Sequence, residues 1–472
     1  MDRIKTDILV IGAGSGGLSV AAGAVQMGAK VVLLEGHKMG GDCLNFGCVP
    51  SKALLSAAKH AHAMTTGAPY GVTPATPEVD YAAAKDHVAK AIATIEPHDS
   101  QERFEGLGVH VIREYGSFIS EKEVQAGDTV IEARRIVIAT GSSPLVPPID
   151  GIDKVVVLTN ETIFDLREKP DHLLIIGGGP IGMEMAQAHI RLGSKVTVIE
   201  GLKALGKDDP EAAALVIEKL RAEGVEIVED ANAEKISQRG KTITVETTNG
   251  TFKGSHLLMA VGRKVNLDKL DLDKGGVAFD KGVKVDKSLR SVSNKRVYAV
   301  GDAAGGLQFT HVAGYHAGVI IRSMLFGLPS KARTDHIPWV TYTDPELAQI
   351  GPTEAEAVRM HGRGAVTTLR FDYSGNDRAI ATGKTDGFIK VMVFDKKPIG
   401  ATIVGENAGE LIGVWALAIA NGLKMSAVTN MVAPYPTLGE INKRVAGSYF
   451  TPKLFENPTV KKVVGFVQRY LP

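Results

Sequence analysis

Cys43 and Cys48 are the only cysteines of the chain, five residues apart within GGDCLNFGCVPSK (40–52). Three chemistries suit such a pair. Zinc takes about four ligands, and a single C-x4-C offers two with no second pair. Two inert thiols need nothing further from their neighbours. A redox-active disulfide is favoured over both, because a helix N-terminus and a nearby cation stabilise a thiolate. Lys52 supplies the cation. It follows Cys48 by four residues, so on a helix the two face the same way. Gly40, Gly41 and Gly47 give the backbone freedom, and Pro50 stiffens the chain after the second cysteine.

The elements that must position this pair begin just before it. Residues 8–35 read ILVIGAGSGGLSVAAGAVQMGAKVVLLE, and residues 173–200 read LLIIGGGPIGMEMAQAHIRLGSKVTVIE. Each is an apolar strand, a Gly-rich turn, a helix and a second apolar strand ending in Glu. Gly12, Gly14 and Gly17 form the first Gly-x-Gly-x-x-Gly, and Gly177, Gly179 and Gly182 the second. In such a turn the first Gly permits the bend, the second lets a pyrophosphate approach, and the third brings helix and strand together. The helix N-terminus offers free N–H groups to phosphate. In both copies 23 residues separate the first Gly from the acid, Glu35 or Glu200, which can accept from ribose hydroxyls. Two units imply two dinucleotides. Glu200, with no Arg in 201–206, favours NAD over NADP, although Lys203 and Lys207 stand close by.

With 472 residues, the chain is long enough for two to four domains. Its 54 basic and 53 acidic residues nearly cancel and offer no basic face for nucleic acid. No apolar run is long enough to span a bilayer. The N-terminus enters a strand at once, without a leader, and a two-cysteine chain fits a reducing cytoplasm. Residues 51–100 read as helical, 109–138 as short strands, 207–223 as a helix, and 224–262 as strands. From about 336 the texture becomes that of a separate α+β domain.

The block GGDCLNFGCVPSK resembles the cysteine signature of the class I pyridine nucleotide–disulfide oxidoreductases, which include dihydrolipoamide dehydrogenase, glutathione reductase and mercuric reductase. RIVIATGSSP (135–144), HLLMAVGRKVN (256–266), YAVGD (298–302) and IPWVTYTDPELAQIGPTE (337–354) resemble further ordered motifs of that family. The resemblance implies an α/β fold of two Rossmann-like three-layer domains and a C-terminal α+β domain. FAD would bind 1–150 with 268–336, NAD(P) would bind 151–267, and 337–472 would make a homodimer. It implies that Cys43 exchanges with substrate and Cys48 contacts the flavin, with Lys52 near flavin N5 and Glu184 as its ion-pair partner. On its own, Glu184 reads as a solvated helix residue. The flavin side would also take in Gly41, Gly116, Thr140, Gly141, Asp302 and a helix entered at 309–312 with His311, and the nicotinamide side Gly262. The implied activity is electron transfer from NAD(P)H through FAD and the disulfide to a small disulfide or metal-ion acceptor. A flavoprotein module serving a protein partner is a second class.

Three departures bear on the acceptor. Relatives carry His-Pro-Thr-x-x-Glu near the C-terminus, with that His as the thiol's acid–base partner. This chain has Tyr435-Pro436-Thr437-Leu438-Gly439-Glu440, and no histidine follows His361. A phenol, with a reference pKa near 10, is a poor base at neutral pH, which makes dihydrolipoamide dehydrogenase the alternative and mercuric reductase the nearer likeness. The tail lacks the C-terminal cysteines of mercuric reductase. Asp42 stands where the family usually has Thr, either as a helix cap or as a carboxylate that opposes a thiolate. Beyond these, Val460, Val463, Val464, Val467 and Tyr470 form an apolar stripe opposite Lys461, Lys462 and Arg469. Packing onto the protein is the expected use of that stripe, with contact to a membrane surface or a partner as the alternative.

Overall fold

The structure, a computed structural model, describes residues 2–471. The chain forms two compact units. The first takes in the residues up to Ala68, Val72–Leu202 and Val225–Arg333. The second takes in Pro69–Gly71, Lys203–Gly224 and the chain from Thr334 onward.

In the first unit β1 (Asp2–Ile11), α1 (Ser15–Gln26) and β2 (Val31–Leu34) make the first nucleotide fold, followed by α2 (Cys48–Ala63), α3 (Tyr81–Ile95), β3 (His110–Ile112) and β4 (Thr129–Ile138). The second fold is β5 (His172–Ile176), α4 (Pro180–Arg191) and β6 (Lys195–Ile199), continued by β7 (Glu226–Val228) and β8 (His256–Met259). β9 (Val297–Ala299) and α6 (Thr310–Phe326) then return to the first. β3, β2, β1 and β4 are parallel neighbours, with β9 parallel beside β4. β7, β6, β5 and β8 form a second parallel sheet. Parallel strands covered on both faces need unbroken apolar runs, and all four residues of β2 are buried, as are the last four of β1.

The turns after β1 and β5 have the same construction. Gly12 and Gly177 have positive φ, 108° and 112°. A Cβ on Gly17 would lie 1.9 Å from the Gly12 carbonyl oxygen, and one on Gly182 would lie 1.9 Å from that of Gly177. Only glycine lets each helix sit so close to its strand.

The second unit holds an antiparallel sheet of β10 (Pro338–Thr341), β11 (Glu346–Ile350), β12 (Thr367–Asp372), β13 (Phe388–Phe394) and β14 (Lys397–Gly405), in the order β10-β11-β14-β13-β12. α7 (Gly413–Ala420) and α8 (Glu440–Ser448) pack on it through Trp415, Ile441 and Val445. The Trp415 indole N–H donates to Asn442 Oδ1 at 2.7 Å inside this core. α5 (Pro210–Ala222) groups with this unit, whereas the sequence places it within 151–267. Its cap, Asp209, accepts from the helix's own backbone N–H groups and from Lys390 Nζ on β13 at 3.2 Å.

One expectation fails here. α9 (Thr451–Phe455) and α10 (Pro458–Tyr470) end the chain, and the apolar stripe of α10 does not pack onto the protein. Phe466 is 61% exposed and Tyr470 63%. The core is already closed by α7 and α8. Asn457 and Pro458 start a new helix beyond it, with the Asn457 carboxamide accepting from Thr459 and Val460 N–H.

Candidate active site

The two turns form two open backbone cradles. A Cβ on Gly14 would meet only Gly41 Cα, at 3.8 Å, and one on Gly179 would meet nothing within 4 Å. Backbone is thus open at the N-termini of α1 and α4, as close approach of a pyrophosphate requires. The acids brace these turns. Glu35 accepts from Ala13 N–H and His37 N–H, both at 2.8 Å. Glu200 accepts from Gly178 N–H at 2.7 Å and Leu202 N–H at 2.8 Å. Each carboxylate oxygen retains a lone pair for a ribose hydroxyl.

The cysteine loop follows β2. Gly40, in the left-handed region, starts the short helix Gly41–Asn45 that carries Cys43. Cys48 is the first residue of α2. Both are free thiols, Cys43 half-buried and Cys48 exposed. Cys48 Sγ lies 3.4 Å from the hydroxyl of Thr310, the first residue of α6. Two helix N-termini therefore converge on this sulfur, each with a positive partial charge. The Cys43 thiol hydrogen bond leads the causes that hold Cys48 down to about 6. Burial opposes it, Thr310 and the Lys52 ammonium add to it, and the Asp42 carboxylate opposes it. Cys43, donating to Cys48 and partly buried, is pushed up. The arrangement thus favours a thiolate at Cys48 over one at Cys43.

Lys52 Nζ sits one turn along α2 and donates to Glu184 Oε2 on α4 at 2.7 Å. Glu184 is buried, not the solvated residue its sequence position reads as in isolation. A second ion pair holds the other end of the loop. Arg263 lies 2.9 Å from Asp42 Oδ1, and Asn160 Nδ2 donates to the same oxygen at 3.0 Å. Arg263 Nε also donates to Ser142 Oγ at 2.7 Å, and Ser142 in turn donates to Asp302 Oδ2 at 2.5 Å. Burial pushes Asp302 up, against the pull of Ser142 and Arg263.

The remaining residues singled out in the sequence occupy varied settings. Ser142–Pro144 and Arg263–Val265 pair as a two-stranded antiparallel ribbon, which juxtaposes the ATG and VGR segments. Thr140 Oγ1 donates to the Asn266 carbonyl at 2.7 Å. Gly141 and Gly262 have positive φ with open space where a Cβ would stand. Gly116 is buried in a strand, where a Cβ would press on the Leu34 side chain at 2.6 Å. His311 lies in the first turn of α6, stacked on Phe309 at 5.3 Å. In the second unit Tyr435 is exposed, and its hydroxyl donates to Asp377 Oδ2 at 2.9 Å. That bond raises its pKa further, so it is no base. Glu440 is the first residue of α8. Among the described residues no group of three or more His, Cys, Asp or Glu is placed to hold a metal ion.

The family described as pyridine nucleotide-disulphide oxidoreductase matches residues 6–317, and its dimerisation domain matches 337–446. The chain belongs to this family. It is 34% identical over 442 residues to the mercuric reductase of Lysinibacillus sphaericus, a match covering 92% of this chain and 81% of that protein. It is 33% identical over 450 residues to the dihydrolipoyl dehydrogenase of Bacillus subtilis, covering 92% and 96%. The Cu(II) complex of the HOCl-induced flavoprotein disulfide reductase RclA from Escherichia coli superposes with a TM-score of 0.84 at 26% identity, covering 93% of this chain and 99% of that one.

As a pyridine nucleotide-disulphide oxidoreductase the chain is of an FAD- and NAD(P)-dependent family, and the two open cradles fit two such groups. Thr310, Ser142, Asn160 and Arg263 escape a reading of the sequence by residue type. Ser142 and Arg263 lie inside recognisable motifs, but only the ribbon reveals their link to Asp302 and Asp42.

Proposed function

We propose that this chain oxidises NADH and passes two electrons, by way of FAD and the Cys43–Cys48 pair, to a small disulfide or a metal ion. The observation that carries this reading is the position of Cys48 Sγ, at the N-terminus of α2 and 3.4 Å from Thr310 at the N-terminus of α6, a setting that favours a thiolate there. Bound FAD would supply two-electron chemistry able to link a nicotinamide hydride to a disulfide. Gly14 and the N-terminus of α1, with Glu35, Ser142 and Asp302, would hold it. Gly179, the N-terminus of α4 and Glu200 would hold the nicotinamide dinucleotide. A Glu200 carboxylate fixed by two backbone N–H groups disfavours a 2′-phosphate and favours NAD.

The protein's own chemistry is then a division of labour between two sulfurs. Opening the disulfide with two electrons and one proton leaves Cys43 as a thiol and Cys48 as a thiolate. Cys43, the sulfur nearer the start of the loop, attacks one sulfur of a disulfide acceptor as its proton passes to the thiolate that leaves, and Cys48 then displaces the second sulfur as the Cys43–Cys48 bond re-forms; a metal-ion acceptor takes the two electrons instead, and the proton goes to water. Tyr435 stands where relatives place the acid–base histidine, and its hydroxyl can donate but not abstract. That favours acceptor reduction over dithiol oxidation. Mercuric reductases and dihydrolipoyl dehydrogenases are comparably similar to the chain, so the tyrosine is what places dihydrolipoamide oxidation second. Delivery of a metal ion through C-terminal thiols has no residues to use here, since Cys43 and Cys48 are the only cysteines of this sequence.

The test is a steady-state screen of the FAD-loaded protein with NADH as donor and small disulfides, Cu(II) and Hg(II) as acceptors, beside dihydrolipoamide with NAD. Turnover on at least one disulfide or metal ion, lost in Cys43→Ser, is expected. Rapid dihydrolipoamide oxidation, or turnover indifferent to both cysteines, overturns the reading.

A further inference from the structure

The C-terminal helix α10 has an amphipathic pattern that the fold leaves unused. We propose that it is a peripheral membrane anchor that lies on an anionic phospholipid surface.

At about 100° per residue, Val460, Val463, Val464, Phe466, Val467 and Tyr470 cover an arc of about 160° on α10. All of these but the half-buried Val460 are exposed. Lys461, Lys462 and Arg469 occupy the opposite side. Lys462 stands about 40° outside one border of the apolar arc and Lys461 about 60° outside the other, within reach for their stems to lean along it while the ammonium groups point outward. The helix contains no acidic residue, in a chain whose formal charge is only +1. An apolar face whose only charged neighbours on the helix are cations matches the interface of an anionic bilayer, which takes the face into its acyl boundary and the cations among its phosphates.

The other occupants fit less well. Spanning needs about 20 apolar residues, and α10 is only 13 residues long in all, three of them charged. No described helix is long and apolar enough to cross a membrane. Pairing with α10 of a second copy would bring two uncompensated cationic rims together, with no acid on the helix to meet them. The dimerisation segment of the family ends at residue 446, before α9 and α10 begin.

The experiment is flotation of the FAD-loaded full chain with vesicles of phosphatidylcholine alone and of equimolar phosphatidylcholine and phosphatidylglycerol. Binding to the mixed vesicles at low salt is expected, weakening as salt rises, with little on phosphatidylcholine. Each cation near such a surface contributes about 1 kcal/mol, so Lys461→Gln with Lys462→Gln should weaken binding about 30-fold. Val464→Asp with Val467→Asp should abolish it. All four side chains lie outside the candidate active site, so flavin absorbance and NADH turnover should stay at parental values and show that the variants are folded. No binding to mixed vesicles, equal binding to both kinds, or binding that survives the aspartates overturns the proposal. So does a parent that ignores vesicles but falls from dimer to monomer when the aspartates are introduced, which would assign the face to a second copy.

Discussion

Replacing Thr310 by Val removes a hydroxyl that lies 3.4 Å from Cys48 Sγ and keeps the side-chain shape. The helix it begins loses no cap, because Phe309 holds the N-cap position and no side-chain bond is made there. A hydrogen bond to a charged group contributes about 1.5–3 kcal/mol. Cys48 is exposed, so water replaces part of the loss, and about 1.4 kcal/mol, or one pKa unit, is the expected effect. In the parent the Cys48 thiolate is held down to about 6. It is present above that pH and is lost as pH falls through it. In Thr310→Val the midpoint should move up to roughly 7, so that at pH 6.5 the thiolate fraction drops from about three-quarters to about one-quarter. The assay is a pH titration of the long-wavelength thiolate–flavin band in the two-electron-reduced protein. Thr310→Ser, which keeps the hydroxyl, should restore the parental midpoint. A midpoint that does not move in Thr310→Val, or moves equally in Thr310→Ser, refutes the assignment of this hydroxyl to the thiolate.

Cys48→Ser should abolish the long-wavelength band, while Cys43→Ser should show it without any reduction; parental turnover in both variants would remove the disulfide from the electron path. Steady-state kinetics should give a larger kcat/KM for NADH than for NADPH, and Glu200→Ala combined with Leu202→Arg should narrow the gap; a parental preference for NADPH contradicts the role given to Glu200. Tyr435→His should raise dihydrolipoamide oxidation by some part of the roughly 10²–10⁴-fold typical of general acid–base assistance. Tyr435→Phe, which loses the bond to Asp377, should slow the acceptor step while flavin reduction by NADH stays fast, and stopped-flow traces separate the two.

The parts of this fold that are legible in the sequence are those fixed by short-range geometry. The third glycine of each turn is demanded by a contact only five residues away, Gly17 against the Gly12 carbonyl and Gly182 against that of Gly177, and the first by its positive φ. Cys48 and Lys52 share a helix face for the same local reason. Glu184 is different. Its burial depends on α4 meeting α2, and nothing in PIGMEMAQ announces it; resemblance alone suggests its partner. Thr310 lies 262 residues from Cys48, and Arg263 lies 221 from Asp42, so neither contact leaves a periodic trace. The stripe on α10 shows the converse. Periodicity reports which side of a helix is apolar, but not what covers it, and the core it was expected to join is filled by Trp415, Ile441 and Val445.

The cysteine loop is gripped from the second nucleotide fold at both ends, by Glu184 on Lys52 and by Arg263 on Asp42. Such pairs are weak stability devices, because desolvation offsets much of their attraction, whereas breaking a buried one costs about 3–5 kcal/mol. Their use is positional, since they tie the loop between two cradles that must each present a cofactor to it. They also set its charge. Lys52 lowers the Cys48 pKa and Asp42 raises it, yet each has an opposite charge beside it that blunts its field. What remains undiluted is the Cys43 thiol hydrogen bond, the Thr310 hydroxyl and the two helix N-termini. A thiolate stabilised by hydrogen bonds and backbone dipoles is held at one sulfur, whereas a free cation would stabilise either. That selectivity keeps Cys43 protonated and Cys48 charged, which is the division of labour an interchange thiol and an electron-transfer thiol require.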